Sequence, residues 1–216
     1  MGLVRVLLVL GGIGASIPAS AAPATVDGVT FSDELGGFVL ERVDGHGSLD
    51  DPFIVTEQLT SQDGGVLVIR ASPTFGNHIA SFHSIGLALT KVVENRTDRA
   101  WPSFEIELQS KLGTPSDDQD GLSFGQGSTA GRPFTSTSFA RVEVLDRPHD
   151  RITLTDGKVP VGAQTVIRFV LSESVPLQTV YLVQRPGQPI VERAVRPSDA
   201  QWAALSLQDR RPGRRP

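Results

Sequence analysis

Ser123 stands in Gly121-Leu122-Ser123-Phe124-Gly125, which fits G-x-S-x-G, the turn that carries the nucleophilic serine of many hydrolases. Such a serine works when a strand delivers it to a sharp turn, a helix follows, and a histidine takes its proton. Here Ser116-Asp117-Asp118-Gln119-Asp120 comes before the motif and does not read as a strand. Gly125 to Pro133 comes after it and does not read as a helix. Only His149 lies downstream as a base, with Asp146 or Asp150 to orient it. A secreted serine hydrolase using Ser123 and His149 is therefore the catalytic alternative, and a non-catalytic chain is the main expectation.

The same stretch offers hard oxygen donors. Ser116-x-Asp118-x-Asp120-Gly121 approaches the opening of a calcium loop, where oxygens at alternate positions and a glycine let the backbone wrap a cation. An EF-hand is excluded, because its last ligand, a bidentate Glu, is replaced by Gly127 and no flanking helices are evident. What remains is a calcium loop at the edge of a β-sandwich, with Asp117, Asp118 and Asp120 as metal ligands. Asp50 and Asp51 are further donors from a neighbouring loop, and the plain alternative is a solvated acidic turn. No other cofactor is expected.

Other chemistries find less support. His78 and His83 are five apart, on opposite faces of a strand and about 140° apart on a helix, a poor chelating pair. His46 and His149 stand alone. The glycines from Gly125 to Gly131 lack the preceding strand, following helix and Lys-Ser/Thr pair of a phosphate loop. Trp101, Tyr181 and Trp202 are too few for a sugar-stacking platform, and Trp101 and Tyr181 read as core. Asn95-Arg96-Thr97 is formally a glycosylation sequon and reads as a turn.

The elements that would position these residues are strands. Short alternating runs broken by Gly, Pro, Asp and Ser recur at Phe38–Val43, Phe53–Leu59, Val66–Ala71, Ile85–Glu94, Ser103–Gln109, Phe139–Leu145, Arg151–Thr155, Thr165–Leu171 and Thr179–Gln184. In Phe104-Glu105-Ile106-Glu107-Leu108 the apolar residues face one way and the glutamates the other. Val142 and Val144 point inward while Arg141 and Glu143 point outward. Asp44-Gly45, Asp63-Gly64-Gly65, Asp156-Gly157 and Pro186-Gly187 mark turns. The fold class is all-β: an antiparallel two-sheet sandwich, Ig-like or jelly-roll-like, over 22–195. The strand Pro52–Leu59 reads as an interior strand or, as the alternative, an exposed edge open to β-augmentation. Ser198–Leu207 opens on a Ser198-x-x-Gln201 capping box and is the one short helix expected, within a C-terminal segment 196–216 that ends in a basic tail.

Residues 1–21 read as a secretory signal: Arg5, an apolar run from Val6 to Ile17, and Ala19-Ser20-Ala21 as the cleavage signature. The apolar run is shorter than the ~20 residues a membrane span needs, so no transmembrane segment is expected after processing. The chain has no cysteine, which rules out disulfides, thiolate nucleophiles and thiolate metal sites. An exported domain without disulfides must rely on its core. Formal net charge is −4, and Arg210, Arg211, Arg214 and Arg215 lie in the tail, so the body is acidic and nucleic acid is not an expected partner.

Asn95-Arg96-Thr97, Trp101, the alternating Phe104–Leu108 run, and Gly157-Lys158-Val159-Pro160-Val161-Gly162 leading to Thr165 together resemble secreted bacterial β-sandwich domains of unassigned function. The resemblance spans roughly Ile85 to Gln184. It implies a periplasmic or secreted module with a binding or structural role, and an envelope or extracellular protein or glycan as partner. A calcium-stabilised adhesion module is the variant in which the acidic loop holds an ion.

Overall fold

The computed structural model describes residues 22–117, 119–125, 133–174 and 179–187. Their strands in chain order are β1 (Ala24–Val26), β2 (Val29–Ser32), β3 (Phe38–Asp44), β4 (Phe53–Leu59), β5 (Gly65–Ala71), β6 (Ile85–Asn95), β7 (Phe104–Gln109), β8 (Leu122–Ser123), β9 (Thr135–Ser136), β10 (Phe139–Leu145), β11 (Arg151–Gly157), β12 (Gln164–Glu173) and β13 (Val180–Pro186). All nine strands expected from alternation are present. The four short ones escaped because two to four residues carry too little alternation to read. No helix occurs among the described residues. The signal segment, the Ser198–Leu207 helix and the basic tail lie outside them.

Two sheets result. One runs β1-β2-β5-β13-β7-β11-β10, antiparallel throughout. The other runs β3-β4-β6-β12-β8, with β9 also pairing β12. Its β4–β6 pair is parallel and the rest antiparallel. The architecture is the expected all-β, two-sheet β-sandwich. The Phe53–Leu59 strand is interior, with β3 on one side and β6 on the other.

Alternation sends one set of side chains from each sheet into a shared core. Phe53, Val55, Glu57 and Leu59 of β4 are buried while their neighbours are half-exposed. From the facing sheet come Phe31, Leu67, Ile106, Leu108 and Leu182. Phe31 meets Phe53 edge-on at 5.2 Å, and Phe124 meets Phe169 likewise at 5.9 Å. Each such ring buried from water stabilises the fold by about 1.5–3 kcal/mol. A satellite cluster of Ile79, Ala88 and Val170, with Leu49 and Phe134 against it, lies on the alternate side chains of β6 and β12.

Asn95-Arg96-Thr97 is a turn, as expected, and more besides. Asn95 is buried; its Nδ2 donates to the carbonyls of Arg99 (2.8 Å) and Val159 (3.1 Å). Its Oδ1 accepts from the Thr97 amide (3.0 Å) and hydroxyl (2.6 Å). The buried Trp101 indole then donates to Thr97 Oγ1 at 3.0 Å. Trp101 and Val159 exchange two backbone hydrogen bonds. The two segments that carry the sequence resemblance therefore lock onto one another.

The Asp63-Gly64-Gly65 turn passes very close to β13. Gly64 adopts φ +89°, and a Cβ there would stand 1.8 Å from the Gln184 carbonyl oxygen. Gly64→Ala should destabilise the fold by at least ~1 kcal/mol through strain and clash combined, read as a lowered midpoint in denaturant unfolding. An unchanged midpoint would mean that the turn relaxes away from β13.

Candidate functional site

The stretch with the G-x-S-x-G motif connects the two sheets. After β7 the chain leaves the seven-stranded sheet, and at β8 it joins the six-stranded one. Asp120 holds the crossing. Its Oδ1 accepts the Ser116 hydroxyl (2.8 Å) and the Leu122 amide (3.0 Å), and its Oδ2 accepts the Ser110 hydroxyl (2.7 Å). Ser116 is buried, and its hydroxyl also lies 3.2 Å from Asp150 Oδ2. Backbone bonds tie Ser116 to Leu108 and Asp150. Asp117 turns back to accept the Gln119 amide at 2.9 Å. Asp118 lies outside the described residues. Asp50 and Asp51 belong to the β3–β4 connection, whereas Asp120 leads into β8 at the opposite edge of that sheet. Among the described residues no three His, Asp or Glu side chains group as metal ligands.

Ser123 sits inside β8, opposite Ser172 of β12, with the two hydroxyl oxygens 3.1 Å apart. It is buried. His149 is exposed in the β10–β11 connection of the other sheet. Among the described residues no hydrogen bond joins the two. Two of the remaining histidines have local partners: His46 Nδ1 pairs with Asp51, which raises its pKa through that hydrogen bond, and His78 stacks on Phe75 at 4.4 Å; among the described residues, His83 Nδ1 is buried without a hydrogen bond.

Two ionic groupings escaped the sequence reading. On the outer face of the seven-stranded sheet, Glu105 and Glu107 of β7 are buried, not exposed as alternation implied. β7 is a central strand, and long side chains from its neighbours close over them. Arg185 Nη1 lies 2.9 Å from Glu105 and 3.1 Å from Glu107, and Arg151 approaches Glu105 at 3.7 Å. Burial works to raise the Glu107 pKa. Hydrogen bonds from Arg185 and Gln109, with the charges of Arg185 and Arg151, outweigh it and hold the carboxyl below its ordinary range. The second grouping lies in the core, where Lys91 Nζ meets Glu57 Oε2 at 2.7 Å with both side chains fully buried. Burial pushes the Glu57 carboxyl up and the Lys91 amine down. Gln184 reaches Glu57 from β13 and favours its charged form, although neither amide heteroatom attains good hydrogen-bond geometry.

Among the described residues, a recess offers a candidate binding site. It has a volume of about 210 Å³ and opens over β6 and β12, beneath the β3–β4 connection. Leu49, Pro52 and Pro133 form apolar walls, with Phe169 and Thr90 beneath, and Asp50 and Arg168 stand at the rim. Thr90 and Arg168 are a cross-strand pair. Among the described residues neither Asp50 nor Arg168 has an ion-pair or hydrogen-bond partner, unlike the glutamates and arginines above. No short motif announces this site; Asp50 was legible only as an oxygen donor.

No protein-family model matches this chain, and no match was found among curated proteins or solved structures.

Two outcomes follow from these geometries. Asp120→Ala strips three donors of their acceptor and should cost about 1–3 kcal/mol, by the same amount in calcium and in chelator. A calcium-dependent rise in the melting midpoint of the parent chain, abolished in Asp120→Ala, would instead assign the loop to a metal. Arg185→Ala leaves Glu105 and Glu107 buried without their main counter-charge and should cost about 3–5 kcal/mol at neutral pH. The folded Glu107 pKa is depressed, so its stabilisation is full above the unfolded pKa of ~4.3 and is lost as pH falls through the lower folded value. The parent–variant gap in urea unfolding should therefore narrow below about pH 4; a gap independent of pH would disprove the electrostatic account.

Proposed function

We propose that this chain is an exported, non-catalytic β-sandwich that binds an envelope or extracellular partner, protein or glycan, through the recess over β6 and β12. The observation that carries this reading is the pair of uncommitted, oppositely charged side chains, Asp50 and Arg168, on the rim of an otherwise apolar hollow. Binding sites take this form: apolar walls supply contact area and a few free polar groups supply orientation. The volume falls below the roughly 300–1,000 Å³ of pockets for drug-sized ligands. It suits one sugar ring or one inserted side chain. Residues 1–21 support export, since their charged start, short apolar run and small-residue end match a cleaved signal. The acidic body disfavours nucleic acid as the partner.

Ser123 faces Ser172 within a strand while His149 is exposed in the β10–β11 connection of the other sheet, and this supports a non-catalytic role. A serine-directed phosphonate should leave the full chain unlabelled; labelling lost in Ser123→Ala would establish the hydrolase instead. For binding, the immobilised full chain is exposed to solubilised envelope extract and to an arrayed panel of bacterial glycans. Capture should be lost in Asp50→Ala combined with Arg168→Ala, with stability within about 0.5 kcal/mol of the parent, as for surface changes. Undiminished capture by that variant would move the binding surface elsewhere.

A further inference from the structure

The edge of a sheet presents unpaired backbone N–H and C=O groups and invites a further strand. Three of the four sheet edges here are too short or too irregular to template one. β1 has three residues, β8 has two, and β3 is broken by a register shift between Leu40 and Arg42. β10 is the exception, and it lies in the sheet that does not carry the recess. Among the described residues it pairs with β11 alone, in unbroken register from Arg141–Thr155 to Leu145–Arg151. Ala140, Arg141 and Glu143 are exposed, and Val142 and Val144 are half-buried.

The Leu108 amide donates to the Asp150 carbonyl, which sets the hydrogen-bond phase of the β7–β11 ladder. Ile152 and Leu154 therefore turn their backbone groups to β7, while Arg151, Thr153 and Thr155 turn theirs to β10. Arg141 and Glu143 stand opposite Thr155 and Thr153 and spend their backbone groups on β11. Val142, between them, points its own N–H and C=O away from the sheet. The Arg141 and Glu143 side chains share the outer face, and neither threonine offers them a charge. Among the described residues neither has an ion-pair or hydrogen-bond partner.

We propose that β10 is a self-association edge, where two copies of this chain pair antiparallel about a twofold axis at Val142. Such an interface is isologous, so the strand must be complementary to itself. Backbone groups that point outward at every second residue allow registers centred on Arg141, Val142 or Glu143. The first sets Arg141 against its own copy and the third sets Glu143 against its own, and like charges directly opposite are destabilising. The register centred on Val142 sets Arg141 of each copy opposite Glu143 of the other, once on either side of the axis. Those are the pairs without mutual backbone bonds, in which opposing side chains approach most closely. Val142 then exchanges backbone hydrogen bonds with its copy, and the two half-buried valine side chains cover one another. A run of like charges would repel a second copy; this alternation selects one and fixes its register.

The test is sedimentation of the purified full chain over a concentration series at low salt, beside three variants checked for folding by circular dichroism. The parent should show a reversible monomer–dimer equilibrium. Arg141→Glu and Glu143→Arg should each weaken it at least about tenfold, because each turns two attractive cross-strand pairs into repulsive ones. Combining the two reversals sets opposite charges face to face again and should recover the parent's self-association. Hydrogen exchange of the Val142 amide in the parent should slow as concentration rises, a reading that needs no variant to fold. A parent that stays monomeric at millimolar concentration would overturn the proposal. So would a dimer indifferent to the single reversals, one that the double reversal fails to recover, or Val142 exchange independent of concentration.

Discussion

Lys91 and Glu57 can be buried only together, and that requirement constrains the sandwich around them. Each faces the core because β4 and β6 run parallel in the register that sets Val55 beside Lys91. A slip of one residue in either strand would turn one of the two toward the outer face and leave the other alone in hydrocarbon. Removing one member of a buried pair is far costlier than removing both. The pair adds little net stability but penalises wrong registers heavily. Gln184 extends this constraint to the facing sheet, whose β13 must place its amide against the same carboxyl.

The protein uses its charge in three different settings. In the core, two groups of opposite kind neutralise one another. On the outer face of the seven-stranded sheet, guanidinium groups from the flanking strands reach Glu105 and Glu107 and meet their buried carboxyls. At the crossing between the sheets, Asp120 serves as a triple acceptor that holds a loop of otherwise weak conformational preference. Asp50 and Arg168 belong to none of these settings. Both are charged, neither is engaged, and a hollow lies between the segments that carry them.

Much of the fold was legible because alternation is a strong signal wherever a strand exceeds about five residues. Phe104, Ile106 and Leu108 declared their inward face, and Val142 with Val144 did the same more weakly. The short hairpin of β1 and β2 was hidden, though Asp27-Gly28, with φ of +48° and +79°, was its one available clue. The ionic groupings were harder to see. Glu105 and Glu107 look like solvent-facing positions in their own strand, and only the neighbours β11 and β13, distant in sequence, bury them. Glu57 and Lys91 interrupt apolar runs, which was a visible oddity, but their meeting depends on a pairing thirty-four residues apart. Loop chemistry misled for the opposite reason. The acidic stretch has the composition of an ion-binding loop, and the same carboxylates serve equally well as acceptors for local hydroxyls and amides.

The place of β13 has a kinetic side. It is the last described strand in the chain, yet it lies at the centre of its sheet, between β5 and β7. Until it arrives, β1-β2-β5 and β7-β11-β10 are two separate fragments, each with an unpaired backbone along what will become the interior. Most of the contacts that close the sheet are therefore remote in sequence, the arrangement that slows folding through the entropy of closing large loops. A chain emerging from its N-terminus can collapse early, but it cannot complete this layer until nearly all of it is present. Its native state is assembled by a final insertion, and anything that keeps residues 180–186 waiting keeps the whole molecule unfinished.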